Sequence, residues 1–171
     1  MDIVQYDELI ARLKKRVWEQ AAETDARRYP GPPRPPLMPE NIEQAEQQLG
    51  FRLPPLVRRL YLEVADGFWG PGLGLPPLLE RINVDNGSLV DDVMTRRELG
   101  EPTNLLPLFC FGCGHDASVK YDEPDLPVIY ENPTDDGWPS IYSRSPSGYS
   151  LQEFLLAWLA GRDPALPPSP D

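Results

Sequence analysis

The order of elements along this 171-residue chain predicts an α+β fold. Three observations carry that expectation. Helical spacing of apolar residues dominates the first third, and short strand-like runs separated by turn residues follow. A single strongly amphipathic helix closes the chain. Helices, then strands, then one helix is the plan of helices packed on one face of a mostly antiparallel sheet.

Taken in order, Ile3, Tyr6, Ile10, Leu13 and Val17 recur at helical spacing, and Asp2 is placed to cap that first helix. The helix must stop by Tyr29-Pro30. Residues 30–36 (PGPPRPP) read as a stiff extended spacer between two helices, in preference to a ligand for proline-reading domains. In the second helix Pro39 suits the first turn, Ile42, Ala45 and Leu49 share a face, and Gly50 suits the stop. A third begins at Pro54-Pro55, carries Leu56, Leu60, Tyr61 and Val64, and closes at Gly67. Residues 68–78 (FWGPGLGLPPL) cannot stay helical. A short strand is expected at 80–84, and Ser88 then caps a helix bearing Val90, Val93 and Met94 that ends by Gly100. Strands are expected at 105–109, 117–121, 127–131 and 140–142, with turns at Gly112, Gly114, 122–125 and 135–137. Ser150 and Glu153 form a capping box for the last helix, whose apolar face is Leu151, Phe154, Leu155, Trp158 and Leu159.

Composition bounds the function. No run approaches the roughly 20 apolar residues of a membrane span, and the N-terminus lacks a basic-then-apolar signal layout, so a cytoplasmic protein is expected. Two cysteines are too few for a disulfide framework. Proline, at 22 residues, concentrates in the spacer and in a loose tail near the end. The formal net charge is −11, and residues 80–136 hold thirteen acids against four bases. Such a surface repels nucleic acid and membranes and steers a basic partner inward; the plainer reading is that it keeps the protein soluble.

The stretch IEQAEQQLGFRLPPLVRRLYLEVADG (42–67) resembles the opening helical pair of the SUKH superfamily, through Ile42, Glu46, Leu49-Gly50, Leu53-Pro54, Tyr61 and Asp66-Gly67. The glycine-rich turn that follows, LPLFCFGCG (106–114), residues 127–130 and SLQEFLLAWLAG (150–161) fall where that superfamily places its turn, an apolar strand, the closing strands and the last helix. The resemblance implies a mixed sheet of about six strands flanked by helices, over a domain at 37–162. Residues 1–36 are then an added helix and linker, and 163–171 a tail. It also implies a non-catalytic, protein-binding role. Bacterial members include immunity proteins that neutralise a toxin, often a nuclease, and eukaryotic relatives act as signalling or cell-wall-regulating adaptors.

The candidate partner-binding residues are Trp69, Glu80, Asp85, Asp91, Asp92, Asp122, Glu123, Asp125, Asp135, Asp136 and Trp138: acids of the charged region with two aromatics as possible anchors. Cys110, Cys113 and His115 have a zinc-like spacing but no fourth Cys or His ligand, so a core thiol and a turn thiol are the better reading. Gly70, Gly72 and Gly74 match no phosphate-loop fingerprint, and no nucleophile elbow is present. The expectation is therefore no catalytic residue, no metal, no cofactor and no nucleic acid, with a basic toxin domain as the leading partner. A regulatory adaptor using the N-terminal helix and proline tract is the alternative, and a zinc-dependent enzyme at Cys110, Cys113 and His115 ranks a distant third. A homodimer is expected if the stripe of the first helix is left uncovered.

Overall fold

The computed structural model describes residues 6–23, 31–81, 87–133, 142–162 and 164. Among them the first helix, α1 (Asp7–Glu23), with Tyr6 just ahead of it, buries Tyr6, Ile10, Leu13 and Val17 of the expected stripe and Leu9 in addition. Asp2 and Ile3 lie outside the described residues. The next helix, α2 (Pro39–Leu49), buries Ile42, Ala45 and Leu49 and ends at Gly50 with φ 78°. Then α3 (Pro55–Arg59) runs directly into a π-helical turn, Leu60–Val64. There the Ala65 N–H reaches back to the Leu60 carbonyl at 3.2 Å, and the wider turn faces Leu60, Tyr61 and Val64 into the core. The apolar spacing predicts one helix here and does not reveal the extra residue in the turn.

Residues 66–81 form a loop held from both ends. The buried Asp66 carboxylate accepts the Leu78 N–H at 2.8 Å. Gly67 sits at φ 84°, and a Cβ there would lie 2.6 Å from the Pro77 nitrogen, so both backbone conformation and close approach demand glycine. Glu80 and Arg81 are not in a strand, and the rest of the strand expected at 80–84 lies outside the described residues. Helix α4 (Leu89–Glu98) starts from a reciprocal Ser88–Asp91 capping box, and α5 (Leu151–Leu159) from the Ser150–Glu153 box.

The sheet corrects the expected count. Among the described residues it has four strands, all antiparallel, in the order β1 (Leu105–Gly112), β2 (His115–Lys120), β3 (Pro127–Pro133), β4 (Tyr142–Ser150). It is a meander, not a mixed sheet of about six strands. Strand β4 extends well past the short run at 140–142. Its sequence YSRSPSGYS has no apolar alternation, because β4 is an edge strand held mainly by backbone pairing to β3. Pro146 is tolerated for the same reason, and Ser147-Gly148 lies inside the strand.

Strand alternation sorts the two faces. One carries Phe109, Ala117, Val119, Val128 and Tyr130, and α5 covers it, with Phe154 stacked on Phe109 at 5.5 Å between ring centroids. The other carries Cys110, Asp116, Ser118, Glu131 and Arg144. Helix α4 runs along β1 and sends Arg96 onto this second face. Helices thus serve both faces of the sheet, not one.

The N-terminal elements share this core. The π-helical turn and α5 cover the stripe of α1 within the chain, which removes the ground on which a homodimer was expected. The proline tract is tied down as well: Leu37 N–H donates to the Tyr61 carbonyl (2.9 Å), Asp66 N–H to the Arg34 carbonyl (3.1 Å), and Arg34 pairs with Glu80.

Candidate protein-binding surface

The structure scatters the predicted partner-binding residues. Trp69 is corrected outright: it is buried, and its indole N–H donates to the Ala65 carbonyl at 3.2 Å, so it plugs the loop and offers no anchor. Asp91 caps α4 and pairs with Arg81. Glu80 is exposed but paired with Arg34, and Asp92 with Arg96. Asp85, Asp135, Asp136 and Trp138 lie outside the described residues. What remains together is the β2–β3 turn, where Asp122, Glu123 and Asp125 are all exposed. Lys120 pairs with Glu123 at 3.0 Å, and Asp122 accepts the Asn104 amide. This turn is a compact acidic lip.

Below the lip lies a groove of about 850 Å³ between the β2–β3 turn and the start of α3. Leu53, Pro54, Pro55, Leu62, Pro124 and Leu126 make its apolar lining, with Tyr121 and Arg52 beside them. A second groove of about 460 Å³ adjoins it across Tyr6, Pro124 and Leu126 and includes Asp125 and Glu153. Tyr121 is fixed in place: its hydroxyl donates to the Thr103 carbonyl at 2.8 Å, and its ring stacks on Phe51 with centroids 4.0 Å apart and planes 2° from parallel. The Arg97 guanidinium sits 5.5 Å from the Phe51 centroid and is itself held by the Leu49 carbonyl.

At the opposite end of the strands the sheet buries an ion cluster. Cys110, Asp116, Glu131 and Arg144 are direct cross-strand neighbours in one row over all four strands. Arg96 joins the row from α4, donating to Glu131 at 2.6 Å and Asp116 at 2.8 Å, with Asp92 and Glu101 beside it. Arg144 bridges Glu131 and Glu101, and the Ser118 hydroxyl donates to Glu131. Burial alone would raise the Glu131 carboxyl, but the charge of Arg96 and the hydrogen bonds from Ser118, Arg96 and Arg144 outweigh it and hold it low. Burial wins at Asp116 and Glu101, whose carboxyls lie high despite Arg96. It also pushes the Cys110 thiol up to about 11.

These opposite shifts shape the acid response. Glu131 contributes stability that is present above the ordinary carboxylate pKa and lost as pH falls through its lower folded value. Asp116 and Glu101 act in the other sense, because the folded state takes up their protons first as pH falls from neutral. Urea midpoints should therefore hold or rise on mild acidification and fall only at lower pH. In Asp116→Asn the mild-acid gain should shrink; an unchanged profile would mean that Asp116 titrates normally.

Two groups escaped the sequence reading. Tyr121 stands directly before the adjacent acids Asp122 and Glu123, yet its sequence context marks it only as the end of a strand. Nothing local marks Arg96 and Glu131, which meet across 35 positions. Cys110 is half-buried on β1, Cys113 sits at the hairpin tip with φ 53°, and His115 faces Asn132, 2.7 Å from its side-chain oxygen. Among the described residues no group of three or more His, Cys, Asp or Glu is placed to hold a metal. None of their helices is long and apolar enough to cross a membrane.

A four-stranded antiparallel meander closed by a capped helix, with a paired helical unit in front, defines an α+β domain whose surface features are a groove and an acidic lip. Residues 39–155 match the SUKH_6 family model, described as SMI1-KNR4 cell-wall, and the chain belongs to that family. Comparisons with curated proteins and with solved structures give no match.

Proposed function

We propose that this protein is a non-catalytic, cytoplasmic protein-binding module: an immunity protein that neutralises a basic toxin domain, of nuclease type, by docking its acidic surface. The observation that supports this most is the β2–β3 turn, where Asp122, Glu123 and Asp125 project with a single lysine among them beside an apolar groove. The net charge of −11 gives the approach a long-range pull on a cationic cleft. Family membership is consistent with a protein-binding immunity or regulatory role. Asp135, Asp136 and Trp138, outside the described residues, belong to the proposal on their sequence alone.

The test starts with the protein as bait in lysate of its source, at low and high salt, and continues with the rates of the captured partner. Reversing Asp122, Glu123 and Asp125 to Lys should slow association about tenfold at low ionic strength, with the difference shrinking as salt is added. Association indifferent to both changes would end the electrostatic reading. The family description as cell-wall supports a second reading, a regulatory adaptor. In that case the partner binds through the exposed side of α1 and the proline tract, and capture survives high salt.

A further inference from the structure

We infer that the groove beside the β2–β3 turn seats an extended segment of the partner that lays one arginine side chain on Tyr121 between flanking apolar residues. This rests on the reading of the protein as a binder of a basic partner and names the seat. The ring of Tyr121 has one face covered by Phe51, so it offers the groove its other face and edge. Phe51 stacks on Tyr121 and has the Arg97 guanidinium 5.5 Å from its own centroid, and a partner guanidinium on Tyr121 would repeat that cation–ring pairing on the neighbouring ring. The fold uses this pairing elsewhere, with Arg34 at 5.1 Å from the Phe68 centroid and Arg16 at 5.9 Å from that of Trp158.

The charges select a single cation. Arg58 is paired with Glu46, Arg59 with Asp7 and Glu63, and Lys120 with Glu123. Among the described residues no carboxylate pairs with Arg52, and no base pairs with Asp122 or Asp125. A base entering over Tyr121 therefore meets Asp122 on the lip, beside the Glu123 that Lys120 already holds, while Arg52 in the same groove repels a second. That pattern suits one arginine within a leucine- and proline-rich segment and disfavours a polybasic tract. The apolar lining, continued past Leu126 into the adjoining groove, matches an extended chain with apolar residues on both sides of the base.

The probe is a short blocked peptide with a central arginine between leucines and prolines, compared with its neutral citrulline twin. Amide signals of the full chain are followed during titration. The arginine peptide should shift signals of residues 52–63 and 121–126 and bind about three- to tenfold tighter than the citrulline peptide. Tyr121→Ala should remove that preference and Tyr121→Phe keep it, which separates loss of the ring from loss of the fold. Asp122→Asn with Glu123→Gln, both exposed, should weaken the arginine peptide alone. Equal binding of the two peptides, or shifts confined to other surfaces, overturns the inference. So does a salt-sensitive basic partner whose capture ignores Tyr121→Ala, and that outcome leaves the proposed function standing. Arginine-selective peptide binding without any salt-sensitive basic partner leaves the groove standing and removes the immunity reading.

Discussion

Arg96→Met is expected to cost about 3–5 kcal/mol of folding stability at neutral pH, the range for removing one partner from a buried ionic network. Against a total of about 5–15 kcal/mol, such a loss leaves the protein marginal. The reason lies in what remains. Glu131 is fully buried, Asp116 and Glu101 are partly so, and without Arg96, among the described residues, only Arg144 reaches into the group. Arg144 bonds Glu131 and Glu101, so Asp116 is left facing Glu131 across the β2–β3 ladder with no cation of its own. Arg96→Lys should recover part of the loss, because one ammonium keeps the charge but cannot serve Glu131 and Asp116 with the geometry of a guanidinium fork. The deficit of Arg96→Met should also narrow as pH is lowered and the stranded carboxyls protonate, which a simple packing defect would not do. Urea unfolding of the three proteins at several pH values measures all of this. A loss under about 1 kcal/mol at neutral pH would show that the cluster behaves like exposed ion pairs.

That cluster also shows where sequence reading stops. The helices were legible because each has a strict apolar spacing and most have readable ends: Gly50 behind α2, Ser88 and Ser150 with their reciprocal acids ahead of α4 and α5. Strands β1 to β3 were legible because apolar runs alternate with turn residues. Strand β4 was not, since an edge strand of serine, arginine, proline and glycine is specified by its neighbour's backbone. The candidate surface was legible only in part. Counting acids between 80 and 136 cannot separate those that face water from those that face an arginine. Glu101, Asp116 and Glu131 belong to that count, yet the fold turns them inward around Arg96 and Arg144. Among the described residues the exposed acids of this stretch are correspondingly fewer, and Asp122, Glu123 and Asp125 of the β2–β3 turn are grouped among them. Trp69 and Tyr121 exchange roles for a similar reason. A tryptophan in a glycine-rich loop can cap a core or project from it, and the Ala65 carbonyl and the buried loop decide for the core.

Leu13→Ala should cost about 2–5 kcal/mol, as large-to-small changes at sealed core positions do. The N-terminal helix looks detachable in the sequence because a proline tract separates it from the rest. In the structure Leu13 is fully buried, and Leu9, Ile10 and Val17 beside it are nearly so, in the same core as Val64 and Leu155. Polar contacts fix the docking angle: the Trp18 indole donates to the Val64 carbonyl at 3.1 Å, and Arg59 bridges Asp7 on α1 and Glu63 on the π-helical turn. Changes on the solvent side, such as Lys14→Ala, should stay within about 0.5 kcal/mol. A truncation that begins after Pro36 uncovers the π-helical turn and α5 together, so it should self-associate or unfold instead of yielding a free domain. This matters for the adaptor reading, since loss of partner capture on truncation would report collapse of the core as readily as loss of a docking helix. Thermal melts of Leu13→Ala and Lys14→Ala side by side separate the cases. If Leu13→Ala melts with the wild type, α1 is an appendage after all, and the truncation becomes a clean test of its role in binding.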